Sequence, residues 1–363
     1  MKFGKKKAVI NLAAGESQLI VIKKAKEMGL AVIGVDHNPY APGFKFCDET
    51  FVLSTYDSQP IIREVTSLQE RYEILGVVNR SAGPPVVTCA ELCEGFNLPG
   101  VIPRSAQNII DKSKLYPECR RAGIRCPSVQ SVIEYSHLEF EKISFPCVVK
   151  PALSIVGKSG VRVVSKPEEL PSAFKEAKQN ALNEKILVQE YVRGRDVSLV
   201  GLVNNGHLYP IVLLDEINVS NNQGNISGAG FAVPSIFTGS SEEKSIISMA
   251  NEIINTYGLN TTSFNMSCRI ADARNISLIE IHLDLGGDLI LDKLIPTATS
   301  FDFLQVTIEN LIGKIISIDQ IFFKPTAIIY GKGPGLVSQR PFTILQDSTP
   351  EKLSQTIEEK INA

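Results

Sequence analysis

The stretch Phe264–Leu294, "FNMSCRIADARNISLIEIHLDLGGDLILDKL", sets Glu280, His282, Asp284, Asp288 and Asp292 around Gly286 and Gly287 in a mostly apolar run. Side chains two apart on a strand point to the same face. In a strand over Phe264–Ile270, Phe264, Met266, Cys268 and Ile270 therefore share an apolar face, and Asn265, Ser267 and Arg269 a polar one. In the following segment Glu280, His282 and Asp284 line one face, and Ile279, Ile281 and Leu283 the other. The polar "ADARN" between them reads as a turn. The two segments then form a hairpin with Ser267 opposite Glu280 and Asn265 opposite His282. Its polar face is either a solvated sheet surface or a place where carboxylates meet a cation such as Mg²⁺, which takes one or two carboxylates plus substrate phosphates.

Working outward, the first hundred residues alternate apolar runs with helical patterns. "AVINLAA" (8–14), "AVIGVD" (31–36), "ETFVLS" (49–54) and "ILGVVN" (74–79) read as strands, with helices such as "SQLIVIKKAKEMG" and "PPVVTCAELCEGF" between or after them. Such alternation predicts a parallel sheet covered on both faces. A helical pair over Ser105–Gly123 and a strand "FPCVVKP" (145–151) follow. Residues 196–270 read as antiparallel strands with a helix at Ser241–Tyr257, and the tail as a strand "TAIIYGKG" (326–333) and a helix "STPEKLSQTIEEKI". "NISGAGFAVPS" (225–235) reads as a hairpin connection or a substrate-side loop.

Bulk composition narrows the function classes. The chain has 363 residues, enough for two or three domains. With Lys+Arg 37 against Asp+Glu 39, the net charge of −2 gives no electrostatic case for nucleic acid or an anionic membrane. Seven cysteines without a CxxC pair point to free thiols in a reducing compartment, and Cys268 to the core. No apolar run is long enough for a membrane helix, and no signal peptide is read at the start, so a cytoplasmic protein is expected.

Three further segments carry chemistry. Lys150 ends a buried strand, and the loop after it contains Gly157, Lys158, Ser159 and Gly160, where backbone amides are able to cradle phosphate. A turn between strands is the alternative, and GxxxxGK[ST] spacing is absent. In "ILVQEYVRGRDVSL" the strand end at Glu190, Tyr191 and Val192 exposes peptide groups suited to a flat base, with Asp196 near enough to bond a ribose. Arg80, at the end of a parallel strand, suits a substrate carboxylate or a surface salt bridge.

Taken in order, "AAGESQLIVIKKAKEMGLAVIGVD", "SAQNIIDKSKLY", "PCVVKP", "VQEYVRGRDVSL" and "FNMSCRI…SLIEIHLDLGGD" resemble the ATP-grasp superfamily of carboxylate–amine ligases over roughly residues 8–315. The resemblance implies an α/β and α+β chain: an ATP-grasp fold with an N-terminal Rossmann-like (pre-ATP-grasp) parallel-sheet domain. It implies a pre-ATP-grasp domain over residues 1–103 and an ATP-grasp domain over 104–320. The small lobe of the latter covers about 125–192 and the large lobe about 193–320, with a C-terminal extension over 321–363 completing the large lobe. It further implies ATP with Mg²⁺ or Mn²⁺, an acyl-phosphate intermediate, small-molecule carboxylate and amine substrates, and a homodimer as the usual assembly. Lys112 and Lys150 would contact phosphates, Gly157, Ser159 and Gly160 would cover them, and Glu190, Tyr191, Val192 and Asp196 would hold the nucleoside. Glu280, Asp284 and His282 would face the metal, and Arg80 the substrate.

The chain departs from the family where Ser267 replaces an acid, His282 an Asn and Asp284 an Arg. Either Asp284 takes over as a ligand one strand step away, or the chain is a weak nucleotide-binding module with a regulatory or scaffolding role. The working enzyme is the favoured reading, because Lys112, Lys150 and the hinge all remain. A dehydrogenase is disfavoured, since "AAGES" lacks GxGxxG.

Overall fold

Apolar runs, the inner ones largely buried on both sides, open the chain. In the computed structural model, which describes residues 4–154, 157–221, 223–287, 289–331 and 340–362, they form β1 (Lys6–Leu12), β2 (Ala31–Asp36), β3 (Glu49–Val52) and β4 (Tyr72–Asn79). These strands make a parallel sheet in the order β3-β2-β1-β4. Helices α1 (Leu19–Glu27), α2 (Ser58–Ser67) and α3 (Pro84–Gly95) accompany them. The predicted Asp288 and the end of the predicted strand at Lys332 and Gly333 lie outside the described residues.

Two short helices lead out of this sheet. Both α4 (Pro103–Ile110) and α5 (Lys112–Arg121) follow from local rules: Pro103 starts the first, where its missing N–H costs nothing, and the Asp111 carboxylate caps the second by accepting from Ser113 N at 2.9 Å. Beyond them β5 (Val129–Val132), β6 (Cys147–Pro151), β7 (Arg162–Val164) and β8 (Ile186–Glu190) form an antiparallel sheet in the order β5-β8-β6-β7. Helix α6 (Leu170–Gln179) closes one face over Cys147, Val149, Val164, Ile186 and Val188. Lys150 pairs with Leu187 in register, and Gln189 shares that face, so these side chains look away from α6.

A larger antiparallel sheet takes β9 (Arg195–Asn204), β10 (His207–Ser220), β11 (Ile226–Val233), β12 (Thr262–Asp272), β13 (Asn275–His282), β14 (Thr326–Tyr330) and β15 (Phe342–Gln346). Their order is β13-β12-β9-β10-β11-β14-β15. Helix α7 (Ser241–Tyr257), capped by Ser240 and stopped at left-handed Gly258, packs on one face against Val197, Leu199, Phe264, Met266 and Cys268. The opposite face is divided. Val200, Leu202, Val212 and Leu214 are buried in a core shared with α8 (Ile295–Ala298) and α9 (Phe303–Leu311). At its other end the same face is polar and turns toward the small sheet. Helix α10 (Pro350–Asn362) buries Leu353 and Ile357 against β14.

Two features differ from the sequence reading. "NISGAGFAVPS" is mostly β11, an interior strand, rather than a free loop. A Cβ at Gly230 would lie 2.1 Å from the Ile328 carbonyl, so the small residues there allow β14 to close in. The β12–β13 hairpin pairs Ser267 with Glu280 and Asn265 with His282 as expected, but Cys268 then pairs with Leu278, leaving Ile279 in a bulge. That extra residue lets Leu278 face the core while Glu280 stays on the polar face.

Candidate active site between the two antiparallel sheets

Three elements distant in sequence bring Lys112, Lys150 and Glu280 together. Lys112 is the first residue of α5, and its backbone N–H donates to Ala152 O at 3.1 Å, fixing the helix start beside β6. Its Nζ lies 3.1 Å from Glu280 Oε2. Lys150, on β6, donates through Nζ to the Tyr116 hydroxyl at 2.9 Å, and that hydroxyl donates to the Ile279 carbonyl in the bulge at 2.7 Å. Tyr116 was not singled out from sequence. It stands one helical turn after Lys112, which puts both on one face of α5.

The electrostatics follow from this crowding. Burial, then the charge of Lys112, push the Lys150 ammonium down to about 7, with Glu280 opposing. Burial works against the Glu280 charge, but Lys112 and His282 outweigh it and hold the carboxyl well below its usual range. An unfolded lysine titrates near ~10.4. Between about pH 7 and that value Lys150 is protonated in the unfolded chain and not in the folded one, so its contribution to stability rises with pH across the window. His282, raised to about 9, slopes the other way over much of this range, so the Lys150 effect is read as a difference: the urea-unfolding midpoint of the nucleotide-free chain should gain on that of Lys150→Met between pH 7 and 9. Parallel pH curves for the two proteins would refute the buried, depressed Lys150.

His282 sits between two acids, with Nε2 3.4 Å from Glu280 Oε1 and Nδ1 3.8 Å from Asp284 Oδ2. Burial opposes its charge, yet Glu280 and Asp284 raise it to about 9. With an acid on each side, the pocket favours the charged imidazole, which in turn supports the Glu280 and Asp284 carboxylates. Asp284 is buried; its Oδ1 accepts from Gly286 N at 2.9 Å, which shapes the Gly286 turn behind His282, and its Oδ2 has no hydrogen-bond partner. Of the three expected metal residues, Glu280 is the one whose side chain also meets the lysines. Among the described residues, no three His, Cys, Asp or Glu side chains form a ready metal cage.

Two other expectations change. Arg80 is buried: Nε donates to Gly286 O at 2.9 Å, NH1 to Ser17 O, and NH2 pairs with Asp292 Oδ1 at 2.9 Å. Its fork is therefore engaged inside the protein and pins the Gly286 turn to β4, where Leu285 N also donates to Asn79 O at 3.1 Å. It is neither a free substrate clamp nor a surface salt bridge. The Asp196 carboxylate accepts two bonds from Arg269, at 2.6 and 2.7 Å, and one from Asn218 at 2.9 Å. The acid expected at a ribose is thus half of an internal ion pair. Arg269 NH1 also donates to Val192 O at 2.9 Å, and its guanidinium lies 5.8 Å from the Tyr191 ring centroid, so this pair fixes the hinge between the sheets.

At that hinge, Glu190 turns outward and accepts from Ser128 N and Oγ at 3.2 Å. Gln189 faces inward, buried, with an Oε1 that has no hydrogen-bond partner. A buried acceptor left open is uncommon and is satisfied when a ligand brings a donor. The loop between β6 and β7 carries left-handed Gly157 and Gly160. Its Lys158 spans to the large sheet, donating to Glu216 Oε2 at 3.3 Å and Asn218 Oδ1 at 2.6 Å. The β10–β11 hairpin also reaches back: Val163 N donates to Gly224 O at 2.8 Å, and Arg162 Nε to Gln223 O at 2.6 Å. Gly224 lies so close that a Cβ would sit 2.2 Å from Val163 O. Lys158, Glu216 and Arg269 were not assigned roles from sequence, because nothing in their local pattern shows what faces them.

Residues 143–292 match the family model described as an ATP-grasp domain. A formate-dependent phosphoribosylglycinamide formyltransferase of Prochlorococcus marinus (strain MIT 9515) is 26% identical over 199 residues, covering 53% of this chain and 49% of that protein. The protein of the same description from Bacillus subtilis (strain 168) is 26% identical over 193 residues, covering 51% and 48%. The chain thus spans about half the length of the curated relatives it matches. An L-amino acid ligase from Bacillus licheniformis superposes with a TM-score of 0.82 at 16% identity, covering 99% of this chain and 98% of that one. An N5-carboxyaminoimidazole synthetase from Staphylococcus aureus, complexed with ADP, gives 0.77 at 15% identity and the same coverages. These likenesses establish the fold along nearly the whole chain.

Proposed function

We propose that this chain is an ATP-dependent ligase that joins a carboxylate to an amine through an acyl phosphate and releases ADP and phosphate. The observation that carries the reading is the meeting of Lys112, Lys150 and Glu280 from α5, β6 and β13 at the mouth of an ATP-grasp domain. The base lies against the peptide groups of Glu190, Tyr191 and Val192, with the open Gln189 amide beside it. The loop with Gly157, Ser159 and Gly160 covers the phosphates, and Lys112 and Lys150 hold them. Lys150 is poised for this: a polyanion restores the charge that burial and Lys112 suppress.

The oxygen donors present, the Glu280 carboxylate and the Ser267 hydroxyl across from it, suit Mg²⁺ or Mn²⁺ with phosphates completing the shell. Glu280 would hold that ion, which when bound supplies neutralisation of charge on the transferring phosphoryl group. The remaining work is positioning: the lysines align the phosphoryl group with the attacking carboxylate, and the closed small sheet excludes water. The substrates are a small carboxylic acid and an amine admitted between the parallel sheet and the large sheet. A homodimer is the assembly we expect. Among the described residues no helix is long and apolar enough to cross a membrane.

The test is a phosphate-release screen of carboxylate and amine pairs with ATP and Mg²⁺ or Mn²⁺, run beside Lys150→Met. At least one pair should give metal-dependent release that the variant loses while staying folded. Tight ATP binding with no turnover across the panel would instead mark a nucleotide-binding module, the reading favoured by Ser267 and by the two cations already facing Glu280. Absence of nucleotide binding would remove both.

A further inference from the structure

Four carboxylates lie on or beside the polar face of the large sheet, and they are not equivalent. Asp196 grips Arg269. Asp284 is tied into the Gly286 turn. Glu280 pairs with Lys112. Glu216 differs from all three. Its Oε1 accepts from the hydroxyls of Ser198 at 2.5 Å and Ser267 at 2.7 Å, and its Oε2 faces Lys158 on the loop of the other sheet.

Register makes these contacts a row. Ser198 lies opposite Ser267 across β9 and β12, and Ser267 opposite Glu280 across β12 and β13. Glu216, from β10, reaches over Ser198 to touch Ser267. Two acids therefore flank two small hydroxyl side chains. Contact with Ser267 leaves Glu216 one residue position away from Glu280 along the row. The serines leave room between the acids that larger residues would fill. Lys158 stands over this space: burial opposes its charge, but Glu216 and, after it, Glu280 and Asp196 hold it up.

We propose that Glu216 is the second carboxylate for the divalent cation that arrives with the nucleotide, reaching it across Ser198 and Ser267 from β10. Lys158 occupies that place when no nucleotide is bound and passes to the phosphates when one is. The inference rests on the ATP-site reading above and deepens it, since it adds a ligand from a strand that shows no acid motif. Glu216 is held by neutral hydroxyls and one displaceable lysine, so it is able to change partner, whereas the open Oδ2 of Asp284 is buried behind His282.

The test is Mn²⁺ binding, followed by electron paramagnetic resonance, to the full chain saturated with ADP, with metal-free ADP affinity measured separately by calorimetry. Glu216→Gln keeps acceptors for both serines and is expected to fold. It should weaken Mn²⁺ binding by about 10-fold or more, while metal-free ADP affinity does not fall, because Lys158 is released toward the phosphates. Ser267→Asp in the Glu216→Gln background, which moves the charge to the middle of the row, should recover most of the Mn²⁺ affinity. Wild-type Mn²⁺ affinity in Glu216→Gln, equal loss of metal-free ADP binding, or no recovery in the double variant would each overturn the assignment. Failure of the wild-type chain to bind ADP would count against the ATP-site reading itself, and is read before any variant.

Discussion

Glu280→Gln is expected to lower metal-dependent phosphate release about 10²- to 10³-fold, the largest functional effect of any single change in the cleft. Glu280 is the acid within reach of the phosphate-side lysines, 3.1 Å from Lys112 Nζ, and is held ionised by Lys112 and His282. The glutamine keeps an acceptor for both but loses the charge that a hard cation needs. The same change should tighten metal-free ADP binding, because a negative charge is removed beside the site proposed for the phosphates while Lys112 becomes free to meet them. Opposite movement of the two quantities separates a ligand from a residue that merely supports the fold, which would weaken both. Unchanged metal dependence of phosphate release would remove Glu280 from the metal site.

The largest stability effect should come from the hinge. Arg269→Met is expected to cost about 3–5 kcal/mol in urea unfolding, because it strands the Asp196 carboxylate in a half-buried position with Asn218 as its remaining donor. It also cuts the bond from Arg269 to Val192 O, so ADP affinity should fall with stability. Replacing both partners, as Asp196→Leu with Arg269→Met, should recover much of the stability, since no uncompensated charge is left. ADP affinity should not recover, because the tether to Val192 is still missing. A double variant as unstable as the single one would show that packing of the arginine stem, rather than the ion pair, holds this junction.

Much of the fold is legible in local pattern. Alternating strands and helices specify the parallel sheet, Ser240 and Gly258 bound α7, and the two-residue period of Phe264–Ile270 and Glu280–Asp284 sets the hairpin register. The bulge at Ile279 is not legible, because one extra residue changes no composition and shows only when Leu278 and Glu280 must face opposite sides. β11 is also obscured, since Gly228 and Gly230 read as a loop until β14 is seen pressing on Gly230.

For the site, the sequence by itself determined the charges near strand ends, Lys150 and Glu280, while Lys112 came from the family resemblance; the fold sets Lys112 Nζ 3.1 Å from Glu280. Only the tertiary structure decided which charges are free. Arg80 and Asp196 have suitable chemistry and suitable places in the chain, but Gly286, Asp292 and Arg269 come from segments far away and occupy them. Glu216 and Lys158 sit in unremarkable strand and loop contexts, and face one another because two sheets close over the same space. Local pattern reports which way a side chain points. What it meets there depends on contacts between distant segments, and those set whether a charge is used inside the protein or kept for a ligand.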